Sequence, residues 1–230
     1  MTEQTDTLIS GFISSFKALL KKKGGEAILR EARLLDIRYR LTLDLRISIE
    51  TKYSHTESKS VRDCYERLFK FLDLWNVYEL CCAYGEKLGV FSKNKFRGWN
   101  ESFLETAGLC DFLQNQTELF KKKAVLGERN IEKYRQYLEH FSELDAVNGG
   151  NKERYKEYLA APASAFDYEQ LLFIQYMERN AYYHGGEAAR AGVDYGYRKK
   201  QLDFYIEFLM EFIARMGTGL FNKELEMEEK

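Results

Sequence analysis

The sequence predicts an all-α protein, a bundle of long amphipathic helices, and three observations carry that prediction. Apolar residues recur at steps of three and four over stretches too long for strands. Proline is confined to Pro162, so little in the chain interrupts a helix. Hydrophobic residues make up 45% of the 230 and aromatics 15%, enough for a sizeable core, while 31% charged residues can coat the outside, which excludes a disordered or low-complexity chain.

The periodicity and its breaks place the elements in order. A first helix runs from about Thr7 to Lys23 and stops at Gly24-Gly25. A second starts near Glu26 and carries Leu34, Ile37, Leu41, Leu45 and Ile49 on one side with arginines around the rest, the pattern of a half-buried helix that frays near His55. Ser60 with Asp63 resembles a helix start. Val61, Tyr65, Leu68, Leu72, Trp75 and Cys82 then follow at helical steps, so this third helix is expected at the centre of the core. The stretch Gly85 to Gly98, with its glycines and lysines, reads as a connection. It divides an N-terminal helical region, residues 1–97, from a C-terminal one, residues 98–230, unless the whole chain is one continuous domain.

Asn100 is placed to cap a fourth helix through Phe103, Leu104, Ala107, Phe112, Leu113 and Phe120, closing at Lys121-Lys122-Lys123, where cations meet the negative helix end. A fifth helix spans about Glu128 to Leu144, Asn148-Gly149-Gly150-Asn151 reads as a loop, and a short helix ends before Pro162. The last third is a helix pair. Ser164 with Asp167 opens a helix that reaches His184 and ends at Gly185-Gly186. Its partner carries Leu202, Tyr205, Ile206, Leu209, Phe212, Ile213 and Met216, with Gly217 and Gly219 marking its end. No repeat of fixed period is present, which argues against a stacked solenoid.

Charge and cysteine usage narrow the function classes. A net charge of −1 supplies no overall basic field, so any nucleic-acid contact has to be local. The lysine runs at 21–23 and 121–123 read as solvated helix ends. Cys64, Cys81, Cys82 and Cys110 form no Cys-x-x-Cys, and with three scattered histidines they give no metal-ligand spacing; buried, reduced thiols are expected, with no metal and no cofactor. Trp75 and Trp99 are expected to anchor core and loop. No basic-then-apolar leader and no run of about 18 uncharged apolar residues appears, so a cytoplasmic protein without membrane contact is expected.

Chemistry concentrates in Arg179-Asn180-Ala181-Tyr182-Tyr183-His184-Gly185-Gly186. Five residues on an ideal helix turn through about 140° and rise about 7.5 Å, so Arg179 and His184 do not share a face. Asn180 and His184 are four apart, so the amide is placed to hold one ring nitrogen and fix the tautomer that proton transfer needs. The final helical turn, with its orphan carbonyls, favours imidazolium there, and Gly185 leaves room for a substrate backbone.

These residue types fit RNA cleavage. His184 takes the proton of a 2′-hydroxyl that attacks the neighbouring phosphate, Arg179 clamps that phosphate with its planar fork, and Asn180 orients the ring. Tyr182 and Tyr183 are candidates for stacking bases at the rim, or for packing as core. One histidine cannot easily deliver one proton and remove another at once, so a twofold homodimer is the economical arrangement. The same arginine-to-histidine spacing recurs in Arg135-Gln136-Tyr137-Leu138-Glu139-His140, so spacing by itself is weak; the neighbouring asparagine and the glycine stop favour the 179–184 segment.

Arg-Asn-x-x-x-His on the penultimate major helix of an all-α chain, followed by one more amphipathic helix, resembles the HEPN superfamily (higher eukaryotes and prokaryotes nucleotide-binding) over about 50 residues, Phe166 to Met216. Arg179, Asn180 and His184 match its Arg-x4-6-His signature. The resemblance implies a C-terminal HEPN-like helix pair, a homodimer and a metal-independent endoribonuclease of a toxin–antitoxin or antiviral defence system, with an antitoxin or regulatory protein as partner. Other members bind nucleotide, RNA or a protein partner without turnover, so a non-catalytic helical module is the alternative. A structural adaptor, in which Arg179 and His184 only satisfy carbonyls or pair with Glu178 or Glu187, is a third.

Overall fold

A computed structural model describes residues 3–25, 28–49, 59–92, 98–122, 127–143, 149–185 and 195–227. Among them are nine α-helices: α1 Glu3–Lys23, α2 Arg30–Asp44, α3 Lys59–Lys87, α4 Glu101–Thr106, α5 Cys110–Lys122, α6 Gly127–Glu143, α7 Gly149–Ala160, α8 Tyr168–Gly185 and α9 Tyr195–Glu226. The only pairing of extended backbone among these residues is an isolated antiparallel bridge, Phe91 to Trp99, which seats Trp99 on Phe91 with ring centroids 4.5 Å apart. No described helix is long and apolar enough to cross a membrane.

The chain divides into two compact units, residues 1–110 with 191–230, and residues 111–190. The segment 98–110, grouped from sequence with the C-terminal region, thus belongs with the N-terminal helices. Helices α8 and α9, read as consecutive partners, fall in different units.

In the first unit α9 packs against α1, α2 and α3. Its aromatic side chains rise in a ladder, Phe204 on Phe208 and Phe208 on Phe212, with Phe71 and Tyr78 of α3 against Tyr205 and Phe212. Truncating one such buried ring costs roughly 3–5 kcal/mol. The helix does not stop at Gly217 and Gly219 but continues to Glu226. A Cβ on Gly217 would lie 2.2 Å from Cε2 of Phe12, and one on Gly219 would lie 2.8 Å from Cβ of Ala107, so both glycines serve close helix approach.

The end of α9 is tied down by Glu224, whose side chain is 2% exposed. It accepts from the Leu29 amide at 3.0 Å and from the Tyr84 hydroxyl, and Lys23 lies 3.5 Å away. One carboxylate therefore joins the end of α1, the start of α2, α3 and α9. The lysine run at 21–23 contributes to that join at Lys23, whose side chain is 8% exposed, rather than lying wholly in solvent.

Helix α2 buries Ala32, Leu35, Asp36, Tyr39 and Thr42, while Ile37, Leu41 and Leu45 of the expected stripe are 50%, 59% and 40% exposed. Polar contacts choose the face: the Tyr39 hydroxyl donates to the Met210 carbonyl at 2.6 Å, and Asp73 of α3 accepts from Arg38 at 2.9 Å and from Thr42. The helix ends at Asp44, short of the Ile49 expected on it, and Lys70 donates to the carbonyls of Thr42, Leu43 and Leu45 there. Its fraying near His55 lies outside the described residues.

Helix α3 begins at Lys59 and buries Val61, Leu68, Leu72, Trp75 and Cys82, as the periodicity predicts. Asn100 caps as expected, accepting from the Ser102 amide at 2.9 Å, but Gly108 at φ +64° ends α4 and starts a new helix. None of the four cysteines is in a disulfide; Cys64, Cys81 and Cys82 are buried, and Cys110 is exposed, against the expectation that all four are buried.

In the second unit α6 packs along α7, and Phe173 of α8 meets Tyr155 and Tyr158 of α7 at 5.1 and 5.3 Å. Phe166 stacks on Phe120 at 5.6 Å and meets Tyr134 edge-on at 5.3 Å. Helix α7 begins at Gly149, so the expected loop at 148–151 is helical over its described residues. Arg135 donates to the carbonyls of Leu159 at 2.7 Å and Ala161 at 3.1 Å, capping α7. The second arginine-to-histidine pair thus has its arginine committed to structure.

Candidate functional site

Helix α8 starts at Tyr168, four residues after the Ser164 expected to open it. Asp167, not Ser164, is the cap: its carboxylate accepts from the Gln170 amide at 3.0 Å, and its carbonyl accepts from the Leu171 amide at 3.0 Å. Ser164 sits in a 3₁₀ turn, Ala163–Ala165, which follows Pro162 and closes with the Phe166 amide bonded to the Ala163 carbonyl. From there Leu171, Leu172, Phe173, Ile174 and Met177 are buried, and so is Gln175, which returns its amide to the Leu171 carbonyl. The packed shaft of the helix holds its last two turns, residues 179–185, on a fixed axis.

Those turns carry the predicted site. Arg179 is half-buried, and its guanidinium carbon lies 4.6 Å from the centroid of the Tyr183 ring, one helical turn on. Its Nη1 donates to Oδ1 of Asn180 at 3.0 Å. Its Nε is buried and has no hydrogen-bond partner among the described residues. Tyr183 is 51% exposed and meets the half-buried Tyr182 edge-on, centroids 5.5 Å apart.

Asn180 was expected to orient the imidazole of His184. Its carbonyl oxygen accepts from Arg179, and its NH₂ remains a donor. The backbone of His184 and Gly185 lies in the final turn of α8, as predicted, while the His184 side chain and residue 186 lie outside what the structure describes.

Two faces meet here. Arg179 and Tyr183 share one face by their spacing of four; Asn180 and position 184 share the next, about 100° around the axis. The guanidinium stays over Tyr183 on its own face, while the bond from its Nη1 to Asn180 links it to the face on which position 184 lies.

From the sequence Tyr183 was a candidate for base stacking or for core packing; its hold on Arg179 was missed, although the arginine-to-tyrosine spacing of four was the available signal. Glu178, one of the two carboxylates considered as a pairing partner in the structural-adaptor reading, is 2% exposed. Among the described residues no cluster of histidine, cysteine, aspartate or glutamate could hold a metal ion. The first unit carries a separate groove of about 320 Å³ between the α4 and α9 segments, lined by Asn100, Thr106, Thr218, Asn222 and Lys223 among others. None of the predicted site residues lines it.

No family model, no curated protein and no solved structure matches this chain.

Proposed function

We propose that the chain is an endoribonuclease of HEPN type that needs no metal ion and works as a homodimer in the cytoplasm, within a toxin–antitoxin or antiviral defence system under an antitoxin or regulatory protein. The observation that carries this reading is the Arg179 guanidinium held between the Tyr183 ring and the Asn180 amide on the last two turns of α8, with residue 184 one turn beyond Asn180. A phosphodiester needs a fixed, planar cation at its oxygens and a proton acceptor beside the 2′-hydroxyl.

In the reaction, the His184 imidazole removes the 2′-hydroxyl proton and the 2′-oxygen bonds to phosphorus. The bond from phosphorus to the 5′-oxygen then breaks, and that oxygen takes a proton from the second copy's imidazolium, which becomes neutral imidazole. The products are a 2′,3′-cyclic phosphate and a free 5′-hydroxyl. Arg179 meets the charge that grows on the non-bridging oxygens. Gly185 has no side chain to obstruct the strand, and Tyr182 is the ring offered to a base.

Single-turnover cleavage of an RNA in chelator by wild type, Arg179→Ala and His184→Ala tests the reading. Each substitution should slow cleavage by about 10²-fold or more. Undiminished rates in both variants would remove this site from the mechanism. Binding of RNA without turnover by the wild type would move the chain to the non-catalytic alternative.

A further inference from the structure

We infer that Tyr183 is a positioning residue for Arg179 rather than a surface on which a base stacks. The inference rests on the functional reading above for what the arginine does, but its geometry stands separately. The guanidinium lies over the Tyr183 ring at 4.6 Å, so the face of the ring turned toward the arginine is already covered. Tyr182 meets the ring in a T-shaped contact at 77° and 5.5 Å. A base arriving at Tyr183 would have to displace the cation or use the remaining outer face.

The arginine, in turn, is held twice: over the ring, and by Nη1 on Oδ1 of Asn180. Two fixed points set the plane of a guanidinium, and a set plane is what two-pronged recognition of a phosphate requires. Of its five N–H groups, one is spent on Asn180 and the Nε–H is buried. The donors left for an anion are those of Nη2 with the second hydrogen of Nη1, which form one edge of the fork. The site is therefore built to take an anionic oxygen pair at Arg179, and Tyr183 is the support on which that edge is presented.

The size of the effect follows from the contact. A cation–π contact at an exposed position changes the population of the held arginine by about two- to fivefold. Tyr183→Leu should thus lower the single-turnover rate by about two- to fivefold with little change in KM, and Tyr183→Phe, which keeps the ring face, should restore it. In an Arg179→Ala background Tyr183→Leu should have no further effect, because its only route to the reaction has been removed. An additive loss in that background, or a raised KM without a change in kcat, would overturn the inference and make Tyr183 a base contact.

A second measurement does not depend on turnover. The Nε–Hε resonance of Arg179, assigned by its loss in Arg179→Ala, should be shifted upfield by the ring in wild type and Tyr183→Phe. It should return toward the position of a free arginine in Tyr183→Leu. No difference between wild type and Tyr183→Leu refutes the positioning role. If the shift behaves as expected and no form of the protein cleaves RNA, the ribonuclease reading falls while the hold of Tyr183 on Arg179 is upheld.

Discussion

Removing the Glu224 carboxylate should be the most costly single polar change in the first unit. Its side chain, 2% exposed, accepts from the Leu29 amide at 3.0 Å and from the Tyr84 hydroxyl, and it faces Lys23 at 3.5 Å. Hydrogen bonds to a charged group contribute about 1.5–3 kcal/mol each, so two of them give roughly 3–6 kcal/mol. Losing one partner of a buried pair, from measured cases, costs about 3–5 kcal/mol. The two routes agree near ~4 kcal/mol for Glu224→Ala. Glu224→Gln keeps one acceptor but turns an NH₂ toward a second donor, and should cost about half as much. Both tryptophans, Trp75 and Trp99, lie in this unit, so tryptophan fluorescence during urea denaturation follows it without the other. With a slope of ~2 kcal/mol per molar, ~4 kcal/mol lowers the midpoint by ~2 M. Tyr84→Phe should cost ~1–2 kcal/mol alone and almost nothing on top of Glu224→Ala, since the two share one bond. A midpoint shift under ~0.5 M for Glu224→Ala, at unchanged slope, would refute the argument that this carboxylate joins the four segments.

Gly217→Ala should destabilise the first unit by ~2 kcal/mol even though alanine is the better helix former by ~1 kcal/mol, because its Cβ would meet Phe12 at 2.2 Å and overpacking costs more. Phe12→Leu in the same chain should recover part of the loss, and an unchanged or raised urea midpoint for Gly217→Ala alone would show the helices have room. Asp36 offers a pH test. Burial raises its pKa above the ordinary carboxylate range, and the hydrogen bond and charge of Arg40 only partly oppose it. A folded-state value above the unfolded one means the protonated form is favoured by folding. Its stabilising contribution is complete below about pH 3.9 and is lost as pH rises through the folded value. Asp36→Asn cannot ionise, so its midpoint relative to wild type should improve between pH 3.5 and 6.5; a difference that stays flat or falls over that range contradicts the assignment.

The helical class and most element positions were legible because a helix displays its period in the sequence. The start of α3 near Ser60, the Asn100 cap and the run to His184 each follow from local chemistry within a few residues. So was the candidate site, since Arg179, Asn180, Tyr183 and His184 sit within six consecutive positions and helical geometry relates them without any long-range contact. The tertiary structure decided what local chemistry leaves equal. On α2 two stripes are apolar enough to face the core, and Asp73 and the Met210 carbonyl select the one with Tyr39 and Thr42. On α9, Gly217 and Gly219 carry the same local signal as a helix stop. Only the proximity of Phe12 and Ala107, about 200 and 110 residues away in sequence, makes them points of close packing instead. Periodicity fixes the angle at which a side chain leaves its helix. Which neighbour waits at that angle is a property of the packed chain, and it decides whether an arginine such as Arg135 caps a helix or one such as Arg179 is held on a ring.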